Sequence, residues 1–235
     1  MGRYEKSWQV ARQRIADAAA AAARPPGSVR LLAVSKTFPA EAIREVHALG
    51  QRAFGENYVQ EAVAKKAALA DLPGVEWHLI GPLQSNKAGA AARCFDWVES
   101  VDRARIADAL SAARAGAARP LDVLVQVNVS GEATKSGVAP EEAAALARHV
   151  AALPNLRLRG IMGVPAPADP ARLRREFRAL RACYDACEDA GLAVDTLSMG
   201  MSADLELAIA EGSTEVRIGT AIFGEREKPV TTGAS

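Results

Sequence analysis

Residues 30–50 read RLLAVSKTFPAEAIREVHALG, and the reading of this stretch decides the fold. Leu31 to Val34 is an unbroken apolar run rather than an alternating one, which suits a parallel strand covered on both faces. From Glu41 onward, Ala42, Ile43, Val46 and Leu49 recur at helical spacing, and Gly50 supplies the stop. The strand–helix couplet then repeats along the chain. Strands are expected at 30–34, 51–54, 76–80, 97–101, 122–129, 157–163, 196–199 and 215–218. Helices are expected at 41–49, 56–69, 86–94, 103–115, 140–153, 169–190 and 203–210. They follow an Ala-rich first helix at 4–23, which Pro25-Pro26-Gly27 ends. Eight β units with helices between them are what a (β/α)8 barrel requires. A doubly wound open sheet shares the βα repetition and is the rival. The expectation is an α/β fold, a TIM-type (β/α)8 barrel with an extra N-terminal helix. It forms a single domain over 1–235, with a short polar tail from about 225.

Of the 235 residues 49% are hydrophobic, enough for a core of barrel size. Lys+Arg 29 against Asp+Glu 28 leaves a net charge of +1. No basic excess is therefore available for a nucleic-acid backbone or an acidic membrane. Arg172, Arg174, Arg175 and Arg178 fall on a polar helical face and read as solvated. Cys94, Cys183 and Cys187 match no metal spacing, and Cys183 and Cys187 stand one helical turn apart, a poor geometry for a disulfide. The odd count suits a reducing compartment. The opening MGRYEKSWQV is too charged for a signal peptide, and Ala18 to Ala23 is too short to span a membrane. Lys6 stands where a myristoylation signal wants Ser or Thr. A cytoplasmic monomer is expected.

In a barrel, function gathers on the loops just beyond the strands. Lys36 follows the first strand by two residues, where partial desolvation favours a neutral amine able to attack an aldehyde. Taken alone, such a lysine reads more simply as a solvated charge. The last two loops add support. Ser198-Met199-Gly200-Met201-Ser202 and Arg217-Ile218-Gly219-Thr220 are rich in small residues whose backbone N–H groups can approach an anion. Barrels often hold a phosphate there, although tight turns alone also explain the glycines. Arg217, between Val216 and Ile218, puts a charge in a buried strand and requires a partner. That partner is either a structural ion pair or a ring nitrogen of a cofactor.

Other features have structural readings. Gly131-Glu-Ala-Thr-Lys-Ser-Gly137 lacks the P-loop spacing, and no dinucleotide fingerprint or metal-ligand spacing is present in the sequence. His47 and His149 read as helix-surface residues, His78 as a satisfied core histidine, Trp77 and Trp97 as core, and Tyr58 as packing. Ser85 reads as a helix cap beside polar Gln84, Asn86 and Lys87.

Five segments carry a specific resemblance. They are Ala33-Val-Ser-Lys-Thr37, Phe54-Gly-Glu-Asn-Tyr58, Trp77-His-Leu-Ile-Gly-Pro-Leu-Gln-Ser-Asn-Lys87, Leu197-Ser-Met-Gly-Met-Ser202 and Val216-Arg-Ile-Gly-Thr-Ala-Ile-Phe-Gly224. In this order they resemble the pyridoxal phosphate homeostasis protein family, which shares its fold with the N-terminal domain of alanine racemase. The match runs from the first helix to Gly224, with slight departures at Pro82 and Gly89. The resemblance implies a fold-type III binder of pyridoxal 5'-phosphate (PLP), held as a Schiff base on Lys36. It implies Asn57 near the ring and Arg217 at the pyridine nitrogen. It also implies phosphate contacts from Ser198, Gly200, Ser202, Gly219 and Thr220, with Met199 and the loop around Ser35 lining the pocket. Lys87 and Lys135 are places where such a protein would transfer or regulate PLP.

Two classes of function compete. The first is a non-catalytic carrier or buffer of PLP in vitamin B6 homeostasis, with PLP-dependent apo-enzymes as possible recipients. The second is a PLP-dependent amino-acid racemase or lyase. Racemisation needs a second acid/base on the opposite face, which alanine racemase takes from another domain of its partner subunit. No counterpart of that domain is expected here, so the carrier is preferred. A Schiff-base aldolase acting on a phosphosugar is a third reading, for which Lys36 and Arg217 are less naturally placed.

Overall fold

The continuous apolar runs become strands buried on both faces. The computed structural model describes residues 2–132 and 134–225, and the expected polar tail lies outside them beyond Glu225. The strands are β1 (Arg30–Val34), β2 (Ala53–Glu56), β3 (Glu76–Leu79), β4 (Trp97–Val101), β5 (Leu121–Val127), β6 (Leu156–Gly163), β7 (Thr196–Met201) and β8 (Glu215–Ile218). The helices are α1 (Glu5–Ala21), α2 (Ala40–Ala48), α3 (Val59–Ala68), α4 (Ala88–Cys94), α5 (Ala104–Ala113), α6 (Ala143–Ala151), α7 (Pro170–Asp189), α8 (Leu205–Ala210) and α9 (Thr220–Phe223). The strands pair in chain order as one closed barrel. Parallel pairing of β1 with β8, from Arg30 opposite Glu215 to Ala33 opposite Ile218, completes the ring and excludes the open sheet.

Local chemistry explains where the elements start. Asp169 accepts hydrogen bonds from the N–H groups of Ala171 (2.9 Å) and Arg172 (3.0 Å), and Pro170 opens α7. β2 lies two residues later than expected. The Gln51 side-chain amide donates to Leu31 O (2.9 Å) and Ala53 O (2.8 Å), while Glu56 is taken into the strand. α3 accordingly begins at Val59 rather than at residue 56. Tight 3-10 turns, Ser85–Lys87 and Pro140–Glu142, precede α4 and α6. Ser85 is not a cap: Gln84 occupies that position, with no side-chain cap bond.

The main core fills the layer between strands and helices, with Ile43, Phe54, Leu79, Phe95, Ile106, Leu110 and Phe177 fully buried. Inside the ring, Trp97, Leu124 and Met162 form a separate apolar cluster, and His78 stacks on Trp97 at 5.0 Å. α1 packs on α8 and α9, over the junction of the last and first βα units. Phe223 is pinned there between Tyr4 and Phe38, at centroid distances of 5.5 and 5.2 Å. Ser7 Oγ donates to Ile222 O at 2.7 Å.

Two further expectations about single residues fail. His47 is buried rather than superficial, because its ring nitrogen Nε2 reaches Pro73 O at 2.9 Å. Tyr58 is 59% exposed, since β2 ends at Glu56 and turns the next residues outward. Cys94, Cys183 and Cys187 are buried thiols. Arg172 is half-buried and paired with Glu176, while Arg174 and Arg178 are exposed and paired with Glu211. Among the described residues no helix is long and apolar enough to cross a membrane.

Candidate functional site

A cavity of about 370 Å³ opens at the C-terminal ends of the strands. Residues after six strands line it: Lys36 beyond β1, Asn57 beyond β2, Ile80 to Pro82 beyond β3 and Val164 beyond β6. Met201 to Ala203 come from the end of β7, and Gly219 and Thr220 follow β8. Arg217 enters from within β8. Six expected site residues, Lys36, Asn57, Ser202, Arg217, Gly219 and Thr220, thus face one space. Val34, Phe38, Ile80 and Val164 add apolar walls. The volume lies in the range of about 300–1,000 Å³ usual for small-molecule pockets.

Ser198, Met199 and Gly200 do not line this cavity. The cause is an irregularity of β7. Ser198 stands opposite Glu215 but Met201 opposite Arg217, so β7 bulges between them. Gly200 adopts φ +96° in the bulge, a conformation that side chains resist. Met199 is sent into the outer core, fully buried, and Met201 is left 39% exposed at the mouth. Gly219 serves differently, since a Cβ there would press within 3.2 Å of Val34 O.

The backbone around Lys36 is fastened on both sides. Ser35 Oγ donates to Glu56 Oε1 at 2.6 Å, and both residues are fully buried. Lys65 Nζ, itself buried, donates to Ser35 O (2.8 Å), Glu56 Oε1 (2.7 Å) and Glu61 Oε1 (2.7 Å). Burial raises the Glu56 pKa, and Lys65 opposes that rise. Thr37 takes φ +69°, an unfavourable conformation for a β-branched residue, and its N–H donates to Glu61 Oε1 at 2.6 Å. α3 therefore grips the residues before and after Lys36.

Beneath the cavity a polar column fills the barrel. Arg217 donates from Nη1 to Ser198 Oγ (2.6 Å) and from Nη2 to Gly163 O (2.8 Å). Ser198 Oγ donates to Glu99 Oε2 at 2.7 Å. His78 contacts Glu99 Oε1 through Nδ1 and Glu76 Oε1 through Nε2, both at 2.7 Å. Two carboxylate neighbours require both nitrogens to donate, hence an imidazolium. Burial alone would lower the His78 pKa; the bonds to Glu76 and Glu99 outweigh it and raise it to about 9. Arg30 closes the column by pairing with Glu76. Glu215 is buried with no hydrogen-bond donor at either oxygen, and its nearest cation is Arg30 Nε at 3.7 Å. Burial, then the charge of Glu99, pushes its pKa up to about 7. His78, Glu99 and Glu215 place ligand-type atoms within 4.8 Å of one another. Arg30, Arg217 and the imidazolium already match or outnumber the ionised carboxylates of the column, so a cation would have to displace the His78 proton.

This column predicts a pH dependence of stability. Glu215 holds a proton in the fold at pH values where an unfolded glutamate, ordinarily at 4.5, has released it. Its contribution is greatest below 4.5 and falls by about 3 kcal/mol as pH rises through 7, at about 1.36 kcal/mol per unit. His78 acts in the same direction at higher pH: its stabilisation is whole below 6.5 and is lost as pH climbs through about 9. Glu215→Gln is expected to be near neutral at pH 5 and to recover most of the Glu215 loss at pH 8, as read by urea unfolding. A variant that loses as much as the parent between those pH values would refute the assignment.

The sequence reading missed Glu56, Glu61, Lys65, Glu99 and Glu215. A signal existed for the last two. Like Arg217, they are charges inside buried strands. Lys135 Nζ reaches Val164 O at 3.4 Å beside the cavity, and Lys87 lies half-buried in the 3-10 turn before α4.

The family model for the alanine racemase N-terminal domain matches residues 10–227. A protein of Pseudomonas aeruginosa named pyridoxal phosphate homeostasis protein is 59% identical over 215 residues, covering 91% of this chain and 92% of that protein. The protein of the same name from Escherichia coli K12 is 51% identical, with 92% and 94% covered. The solved structure of PipY from Synechococcus elongatus with PLP bound superposes with a TM-score of 0.79 at 42% identity, covering 89% of this chain and all of that one. On the barrel, the matched length and these identities, the chain belongs to the pyridoxal phosphate homeostasis protein family, within the alanine racemase N-terminal domain family.

Proposed function

We propose that this protein binds PLP as a Schiff base on Lys36 and acts as a carrier or buffer in intracellular PLP homeostasis. One observation carries the reading: Lys36, Arg217 and the Ser202, Gly219 and Thr220 loops meet around a single cavity. The residues fit the group. A primary amine suits an aldehyde, a guanidinium suits a pyridine nitrogen, and hydroxyls with closely approaching backbone suit a phosphate. When bound, PLP supplies an electrophilic aldehyde and, in enzymes, an electron sink. Lys36 contributes the nitrogen that replaces the aldehyde oxygen, which leaves as water. Asn57 and the apolar walls confine the ring. Arg217, a donor that does not give up its proton, keeps the pyridine unprotonated and so weakens the sink.

The carrier reading draws on the wall chemistry. Among the described lining residues the ionisable side chains are Lys36 and Arg217, whereas racemisation calls for a second acid/base opposite the lysine. PLP-dependent apo-enzymes are the proposed recipients, and the protein is proposed to work as a monomer. The decisive experiment is borohydride reduction of PLP-loaded protein followed by peptide mapping. The adduct is expected on the peptide carrying Lys36; an adduct confined to Lys87, Lys135 or another lysine would overturn the site. Deuterium exchange at the α-carbon of free amino acids tests the role. Negligible exchange is expected of a carrier, and rapid exchange would instead establish a racemase or lyase.

A further inference from the structure

We infer that Glu99 is a positioning residue for the cavity arginine, acting through Ser198. The inference rests on the proposed placement of Arg217 beside the cofactor ring and reassigns Ser198, which resemblance alone put at the phosphate.

The bonding leaves the Ser198 hydroxyl one arrangement. A carboxylate offers no proton, so the hydroxyl hydrogen goes to Glu99 Oε2 at 2.7 Å. A guanidinium offers no lone pair, so the same oxygen accepts from Arg217 Nη1 at 2.6 Å. Ser198 is fully buried and absent from the cavity wall, so its hydroxyl is committed below the site. Gly163 O fixes the other Arg217 nitrogen, Nη2, at 2.8 Å. Two bonds from different strands hold the planar fork in one orientation, with the side chain still reaching the cavity wall. Glu99 in turn cannot swing, because its second oxygen is bonded to His78.

Charge strengthens the argument. A guanidinium buried to 4% exposure needs a counter-ion, and Glu99 faces it from β4 one hydroxyl away. Other charges facing Arg217 are Glu215 on its own strand and Asp204 ahead of α8, while Lys36 and Thr220 share its cavity. Glu99 has its pKa lowered: burial opposes ionisation, but His78, Arg217 and Ser198 prevail. A fixed negative charge behind Ser198 thus sets how rigidly Arg217 presents its N–H groups.

The test uses the full chain loaded with PLP, comparing Ser198→Ala, Ser198→Thr and Glu99→Gln. Two readouts are taken: the pH midpoint of the bound chromophore and the PLP dissociation constant. Ser198→Ala and Glu99→Gln are each expected to move the midpoint by roughly half a unit or more and to weaken PLP about tenfold, the scale of one charge-assisted bond. Their effects are expected not to add in the double variant, because both cut the same relay. Ser198→Thr, which keeps the hydroxyl, is expected to restore both readouts. Should Glu99→Gln fail to fold, Ser198→Ala still decides, since it leaves the Glu99–His78 pair intact. Unchanged midpoint and affinity in Ser198→Ala, even with altered stability, overturn the inference alone. Parental protein that forms no PLP chromophore overturns the binding reading, and the inference with it.

Discussion

Replacing Lys36 with alanine is expected to abolish the visible chromophore of PLP-loaded protein and to weaken PLP retention by roughly a hundredfold or more, about 2.7 kcal/mol. The expectation follows from what would remain. The loops at Ser202, Gly219 and Thr220 and the Arg217 side chain still face the cavity, so an anionic, aromatic ligand keeps a non-covalent foothold. The proposed covalent link would be gone. Lys36→Arg separates two roles of the side chain, because a guanidinium keeps the charge but is not deprotonated and makes no imine. Both variants are therefore expected to be colourless, with Lys36→Arg retaining more PLP in equilibrium dialysis. Absorbance spectra with dialysis check the prediction. A Lys36→Ala protein that still takes on colour and is still fixed by borohydride would move the attachment elsewhere.

Lys65→Met is expected to cost about 3–5 kcal/mol, the range for removing one partner of a buried ion pair. Methionine fills similar volume, so the loss is electrostatic rather than a cavity. Glu56, fully buried, would lose its cation, and the Ser35 carbonyl would lose its donor. The direction with pH is fixed by the same residue. Burial already raises the Glu56 pKa with Lys65 present, and removing the lysine raises it further. The fold of the variant then keeps a proton that the unfolded chain releases as pH rises, so its deficit is smallest in acid and grows towards neutrality. Urea unfolding at pH 5 and pH 8 measures this. A deficit of equal size at both pH values would show that the ion pair is not its origin. The variant is also expected to bind PLP less tightly, because the grip of α3 on Ser35 is lost on one side of Lys36.

Much of this architecture was legible because parallel strands advertise themselves. The runs at 30–34, 97–101 and 215–218 are bounded by turn residues or charges, and their limits agree with β1, β4 and β8. β2 was misplaced because Gln51 and Glu56 owe their positions to partners distant in sequence, Leu31 and Ser35. No window of local pattern contains both members of such a pair. The bulge in β7 was equally hidden. Its Ser-Met-Gly-Met string resembles a phosphate turn, and only the shifted register against β8 sends Ser198 and Met199 away from the cavity. His78 was read as a satisfied core residue, and the structure supplies the satisfaction as two carboxylates. Lys36 and Arg217 stood out early because a lysine just past a strand and a charge within one are conspicuous in any order of reading.

The seam between β1 and β8 has a consequence for how the molecule comes into being. Lys36 leaves the ribosome well before Arg217, Gly219 and Thr220, with the strand–helix couplets from β2 through α8 still to be made between them. Domains assemble as units, and contacts between distant segments carry the heaviest entropic toll. Lys36, the proposed attachment point, accordingly waits through the making of the intervening couplets without the loops that would select a ligand, and PLP uptake would report that the last couplet has locked against the first.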